Sequence, residues 1–368
     1  MSPPASFKRA ALLCSTLLLG IATAKEIKVK YPEKIQAAID SASAGDKIVV
    51  GKGNYQEHLT ITKNNLQLVG QSGAILTPPD DSEAPVTNGC TDLVGAGLQA
   101  GICIGGNVVY VDGPLPDPES GGEHRKVHSV TQYAENVLVK GFTVQGFSGL
   151  NIAVVGGKNV EVRENEMGSS NRYGILTVGS IKTKIARNTL SSPDLPFIGI
   201  CMDDQSDVSV TTNTISGFFI GLCVQTNGAD VSHNVVTNSC LGAFVDPGVD
   251  GASLTHNKIT NTNPRCNFGN FALVSGIRIL GARNTNVQRN DISGISDFNF
   301  PDEYNIGAGI AVYDDTLFGG SGAIATGNKI NANDFSHNDK DIDVYSTGSN
   351  EFKRNKCTTP AEYCSQDA

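Results

Sequence analysis

The sequence predicts an all-β chain wound as a single-stranded right-handed parallel β-helix, a solenoid, with a capping helix near its N-terminus. Three observations carry that reading: a turn asparagine at near-constant spacing, a glycine-led strand motif in phase with it, and a composition rich in turn residues. The asparagine motif, apolar-x-apolar-x-x-Asn-x-apolar, first appears as Val160-Glu161-Val162-Arg163-Glu164-Asn165-Glu166-Met167. It returns around Asn188, Asn213, Asn234, Asn257, Asn290, Asn328 and Asn355, at intervals of 23, 25, 21, 23, 33, 38 and 27 residues. The second motif, Gly-apolar-x-apolar, begins at Gly174, Gly199, Gly221, Gly242, Gly276 and Gly309. Two ladders with one shared period mark stacked repeats.

Each motif is too short for a helix and alternates with period two, so each reads as a strand with one face inward. Such strands pair in parallel from coil to coil at about 4.8 Å, stacking their apolar residues into a long narrow core. The asparagine tolerates left-handed geometry, and its amide is expected to bond the equivalent asparagine one coil away. Composition agrees, with 41 glycines in 368 residues and only 18% charged side chains. That length buries a core without help from disulfides, which excludes collagen, coiled coil and wholesale disorder. At the N-terminal end, Ile35-Gln36-Ala37-Ala38-Ile39-Asp40 has helical spacing and precedes the strand Lys47-Ile48-Val49-Val50. An amphipathic helix there would cover the open end of the solenoid.

Residues 1–24 read as a secretory signal: Lys8 and Arg9, an apolar run from Ala10 to Ile21, then the small-x-small site Ala22-Thr23-Ala24. The β-helix domain then spans 25–368, with an N-terminal elaboration over 77–130 and a tail over 357–368. The mature chain holds 26 basic and 37 acidic groups, a charge of −11. Nucleic acid is excluded as a partner, since phosphate binding needs clustered Lys and Arg. No membrane span is expected, and the product reads as a secreted, extracellular monomer. Eight cysteines remain after Cys14 leaves. Cys90 with Cys103 and Cys357 with Cys364 are local pairs, and Cys201 with Cys223 and Cys240 with Cys266 complete one of many connectivities.

The stretch from Ile35 to Ala44, followed by Gly45-Asp46-Lys47-Ile48-Val49-Val50, Gly53-Asn54-Tyr55, Leu59-Thr60-Ile61 and Leu66-Gln67-Leu68-Val69-Gly70, resembles the opening of pectin-lyase-like right-handed β-helix proteins. The asparagine-marked coils resemble their carbohydrate-binding and sugar-hydrolase repeats, so the resemblance covers most of 26–356. It implies the fold and a polysaccharide or cell-wall glycan as partner, while the fold hosts lyases, hydrolases, epimerases and non-enzymes alike. Asp246-Pro247-Gly248-Val249-Asp250 resembles a segment of alginate C5-epimerases, with Gly248 where their catalytic histidine stands. Asp203-Asp204 and Arg278-Ile279 are similar to polygalacturonase segments, without the Gly-His-Gly between them. Asp315-Thr316-Leu317 is similar to a pectin methylesterase strand, with Asp314 in place of its glutamine.

Function on a repetitive scaffold belongs where coils grow loops or present outward rows. From Asn257 to Gly276 and from Asn290 to Gly309 the chain takes 19 residues each, against 8 from Asn234 to Gly242. These insertions carry Arg265, Phe268, Asn270 and Phe271, then Asp297, Phe298, Phe300, Asp302, Glu303 and Tyr304, residue types suited to sugar stacking and hydroxyl recognition. One outward row of the glycine-led strands reads Asp203, Gln225, Asp246, Leu280, Tyr313, Tyr345, and the other Cys201, Cys223, Phe244, Arg278, Ala311, Asp343. The candidate catalytic residues beside the loops are Asp203, Asp246 and Arg278. Candidate substrate-binding residues are Asp204, Gln225, Asp250, Phe271, Tyr304 and Tyr313. Asp203 and Asp246 lie two coils apart, roughly 10 Å, near the spacing of an inverting glycosidase pair; alternatively, Arg278 neutralises a uronate while a base removes the C5 proton. No cofactor is expected beyond calcium, for which Asp203, Asp204 and Asp207 offer hard oxygen ligands without a loop signature. His233 and His256 precede ladder asparagines in adjacent coils and are expected to stack at the surface, while His124 and His128 sit on the Pro- and Gly-rich arm. The function expected is a lyase or hydrolase of cell-wall or uronate-containing glycans, with a non-catalytic, glycan- or surface-binding solenoid as the alternative.

Overall fold

The computed structural model describes residues 24–80, 86–119, 122–266, 274–297, 307–318 and 320–365. Three parallel sheets form the walls of a right-handed solenoid. Sheet 1 has twelve described strands, starting at Glu26–Val29 and Lys47–Val50 and ending at Glu351–Lys353; sheets 2 and 3 have ten each. Each coil visits sheet 1, the asparagine turn, sheet 2 and then the glycine-led strand of sheet 3 before returning. Register is strict: Ile152 lies opposite Ile175, which lies opposite Ile200, and the row continues through Leu222, Ala243, Ile277, Ile310 and Ile342. These inward rows are fully or nearly fully buried and form one continuous core.

The cap helix runs from Ile35 to Ser41 and buries Ile35, Ala38 and Ile39. Its free N–H groups are met from a distance, because the Glu57 carboxylate accepts from Ile35 N (2.8 Å) and Gln36 N (3.1 Å). Acidic groups at a helix N-terminus offset its orphan donors and dipole.

The asparagine ladder bonds as expected. Asn188 Nδ2 donates to Val162 O (2.9 Å) and to Asn213 Oδ1 (3.0 Å), and each coil repeats the pattern. Two details differ. After Asn290 the next rung is Asn333, not Asn328, since Asn290 Nδ2 donates to Asn333 Oδ1 (2.9 Å) and Asn333 to Asn355 (3.1 Å). Asn328 sits one strand earlier, bonding Asn350 before Lys329–Asn331; the run Asn328-Lys329-Ile330-Asn331-Ala332-Asn333 offers several asparagines to one period. The left-handed residue is also the one before each rung, as at Arg187, His233 and Arg289, which frees the asparagine to aim its amide along the axis.

Three disulfides are present: Cys90–Cys103, Cys240–Cys266 and Cys357–Cys364. Cys201 and Cys223 are instead buried free thiols. They occupy matched positions on adjacent parallel strands, where side chains project side by side about 4.8 Å apart, beyond the roughly 3.8 Å between β-carbons that a disulfide needs. Burial pushes the Cys201 thiol up to about 11. No helix among the described residues is long and apolar enough to cross a membrane.

The elaboration is not one block. Ala100–Gly105 is a full member of sheet 3, and only the segments around it leave the coil. Asn107–Tyr110 pairs antiparallel with Val127–Gln132, and the arm between them folds back over the outer face of sheet 3. Beneath it lies a second apolar cluster including Leu150, Tyr173, Leu176, Ile198, Cys201 and Cys223. Leu150–Val155 and Tyr173–Val178 are accordingly buried on both faces along their whole length, Asn151 and Thr177 included.

Candidate active site

The exit edge of sheet 3 carries the predicted outward row: Asp203 ends its strand, with Gln225 and Asp246 just past the next two. With Lys126, Asn227, Pro247, Gly248 and Val249 they line an open cleft of about 320 Å³. Most of each long insertion, 267–273 and 298–306, lies outside the described residues. Their described ends connect the sheet 2 strands Lys258–Thr262 and Asp291–Ser293 to the starts of Ser275–Leu280 and Ala308–Tyr313 in sheet 3, whereas the cleft lies past the strand ends. The cleft wall comes from the arm, which delivers Glu123, His124 and Lys126 from about 80 to 120 positions earlier in the chain.

His124 is fully buried, its ring set edge-on to Tyr173, and its Nε2 meets Asp203 Oδ2 at 3.0 Å. Burial lowers the imidazole pKa despite the stabilising carboxylate, so the ring is neutral at neutral pH. A carboxylate only accepts, so the assigned tautomer carries its proton on Nε2. Lys126 Nζ lies 3.3 Å from the same Asp203 oxygen and donates to Gln225 Oε1 at 2.6 Å. Gln225 Nε2 donates to Glu123 Oε2 (2.6 Å) and to Asp246 Oδ2 (2.5 Å). Gln225 therefore touches Asp246 directly and is linked to Asp203 through Lys126.

Their environments drive the aspartates apart. Burial alone would raise Asp203, but the hydrogen bond from His124 and the charge of Lys126 outweigh it and hold the carboxyl below its usual range. Asp246 moves the other way, raised well above the usual range by burial and by the negative charge of Glu123, with the Gln225 bond offsetting only part. Asp246 Oδ1 has no protein partner. Burial also works against Lys126, yet the surrounding carboxylates hold its ammonium above the ordinary lysine range. The cleft thus sets an aspartate biased toward its ionised form and an aspartate biased toward its protonated form beside a lysine cation.

The other candidates lie elsewhere. Asp204 turns into the coil, where its Oδ1 accepts from Ser180 N (3.2 Å), and burial lifts it to about 7. Asp207 is exposed and accepts from Ser206 Oγ (3.1 Å), so the three aspartates of the calcium expectation point apart. Among the described residues no group of three His, Cys, Asp or Glu side chains is placed to hold a metal ion. Asp250 lies on the neighbouring turn, accepting from Asn284 (2.8 Å) and pairing with Arg283 (3.4 Å). Arg278 belongs to a separate buried cluster: it donates to Ser275 Oγ (3.0 Å), lies over the Tyr313 ring and is lowered by burial to about 10. Tyr313 bonds Asp343 there, which Lys340 pairs at 2.6 Å. Phe271 and Tyr304 lie outside the described residues, as do Phe268, Asn270, Phe298, Phe300, Asp302 and Glu303. His128 is exposed and apart from His124. Sequence reading missed Glu123, His124 and Lys126; the closest signal was a run of titratable residues closing an otherwise Pro- and Gly-rich arm.

Residues 198–364 match the family described as right handed beta helix region. No curated protein matches the chain. Among solved structures, the lidless DFA-IIIase of Arthrobacter chlorophenolicus aligns at a TM-score of 0.56 and 13% identity, covering 89% of this chain and 94% of that one. The A-module of a mannuronan C-5 epimerase from Azotobacter vinelandii gives 0.54 at 16% identity, with 87% and 94% covered. A family 28 exopolygalacturonase of Yersinia enterocolitica gives 0.54 at 11% identity, with 92% and 77% covered. At such identities the likeness is one of fold.

Proposed function

We propose that this pectin-lyase-like right-handed β-helix is an extracellular enzyme that hydrolyses a glycosidic bond in a polysaccharide, with inversion. The observation that carries the reading is that two aspartates line one open cleft on either side of Gln225 in environments that displace their pKa values in opposite directions. Two carboxyl groups whose environments push their pKa values apart are suited to acid and base roles. Asp246, which lines the cleft, is the general acid. Asp203 is the general base that activates water, and the two-coil separation of roughly 10 Å leaves room for water and sugar between them. His124 and Lys126 keep Asp203 ionised. They are positioning residues, since both act through that carboxylate. The mannuronan C-5 epimerase and the exopolygalacturonase among the similar folds are named for polysaccharide substrates, which agrees with a glycan substrate.

Lys126 favours one second reading. A cation beside an ionised aspartate could neutralise a uronate carboxylate while Asp203 removes the C5 proton, giving elimination. Digestion of a panel of neutral and acidic polysaccharides separates the two, with new reducing ends and the ultraviolet absorbance of unsaturated ends read together. Reducing ends alone, with an inverted anomeric product by NMR, are the expected result. Unsaturated ends would replace hydrolysis by elimination, and silence in both channels would leave a glycan-binding solenoid.

A further inference from the structure

The turn from sheet 1 to sheet 2 repeats the same backbone in every coil, so the residue before each ladder asparagine projects from one edge of the solenoid. His233, His256, Arg289, Ala332 and Arg354 occupy five successive such positions, all with φ between 55° and 59°, and all are exposed. The two imidazoles stack with centroids 4.9 Å apart and planes within 4°. Ala332 stands between the two arginines, and its missing bulk leaves a notch of about 300 Å³ bounded by Arg289, Arg354, Asn331 and the Lys353–Glu351 ion pair.

Charge in this column is uncompensated. Glu351 is taken by Lys353 at 3.1 Å and by Asn331 Nδ2 at 3.1 Å. Asp291 and Asp334, which follow on sheet 2, are taken by Lys258 (3.3 Å) and Lys356 (3.1 Å). Among the described residues no carboxylate pairs with Arg289 or Arg354, on a protein of net charge −9. Holding a side chain in the left-handed region also carries a steric cost that glycine or asparagine would largely avoid. Two unpaired guanidinium groups and two imidazoles therefore stand at backbone positions that disfavour them.

We infer that this column is a second glycan site, remote from the cleft, that binds the acidic groups of a polysaccharide. Arg289 and Arg354 are two coils apart, roughly 10 Å, so a carboxylate or sulfate in the notch meets planar forks from both sides. Guanidinium groups recognise such oxyanions with paired, directional hydrogen bonds. The coil spacing is close to the rise per sugar of an extended pyranose chain, so successive acidic groups meet successive rungs. A site here tethers the chain to an anionic polymer and leaves the cleft free.

The test uses the full chain on surfaces of polygalacturonate, dextran sulfate and neutral dextran over a range of sodium chloride. The expected result is binding to a polyanion and not to dextran, weakening as salt rises. The double variant Arg289→Asn with Arg354→Asn loses at least tenfold in affinity with no fall in Tm, because asparagine suits the turn. Asp246→Asn binds as the parent does. A preference between the two polyanions identifies the acidic group, carboxylate or sulfate. Unchanged binding by the double variant, equal binding to dextran, or no binding to either polyanion overturns the inference.

Discussion

The outer face of sheet 3 carries two charged clusters in neighbouring rows, and they differ in their exposure. Asp203, Gln225 and Asp246 continue one outward row and open onto a cleft whose wall is the arm. In the coils that follow, Tyr313 continues that row while Arg278 and Asp343 belong to the adjacent row of Cys201, Cys223 and Phe244, and Arg278 is 2% exposed and bonded within its own strand. The solenoid supplies positions, and the segment laid over a position decides whether a charge there is a reagent or a buried structural group. Burial raises Asp246 where Glu123 adds its negative field, and burial lowers Arg278 where nothing opens to solvent. Both are perturbed, and only the first has room for a ligand.

The sharpest way to break this comparison is to neutralise each side. Asp246→Asn or Asp203→Asn is expected to cut kcat by about 10²–10⁴, the usual span of a general acid or base, with Tm nearly unchanged. Arg278→Gln is expected to do the reverse, costing about 1–3 kcal/mol of stability, read by urea unfolding, with kcat within about twofold. A catalytic loss at Arg278 without a stability loss would move the reaction to the other cluster.

A smaller effect separates the roles within the cleft. Activity needs Asp203 ionised and Asp246 protonated, so the pH–rate profile is a bell. Its acid limb lies below the ordinary aspartate range, because Asp203 is lowered, and its alkaline limb lies above it, because Asp246 is raised. His124→Leu removes the donor that helps keep Asp203 ionised. The acid limb is then expected to move to higher pH while the alkaline limb stays, and movement of the alkaline limb instead would mean that His124 acts on Asp246.

The same contrast marks what the sequence made legible. The rows were readable because period-two alternation and a fixed coil length place Asp203, Gln225 and Asp246 on one line without knowledge of any side-chain contact. The covering of the outer face of sheet 3, which buries Leu150–Val155 and Tyr173–Val178 throughout, was not among the readings, since each strand was expected to turn only one face inward. What covers it was not readable, because the arm reaches the cleft through contacts such as His124 with Asp203, 79 residues apart in sequence, that no period encodes. Arg278 joined the wrong neighbours for a related reason: spacing gives the coil of a residue, and says nothing of which side chain burial will turn it toward. The inward turn of Asp204 follows from the same gap, since one residue past the strand end reverses the face.

The most direct test of the account is a carbon-13 NMR titration of the aspartate side-chain carboxyls, in the parent chain and in Asp246→Asn. The account predicts a carboxyl that stays protonated well above the usual aspartate range and disappears in the variant, alongside Asp204 titrating near 7 in both. If every resonance lost in Asp246→Asn had titrated in the ordinary carboxylate range, the cleft would hold two ionised aspartates at neutral pH, and the acid that the mechanism requires would not exist.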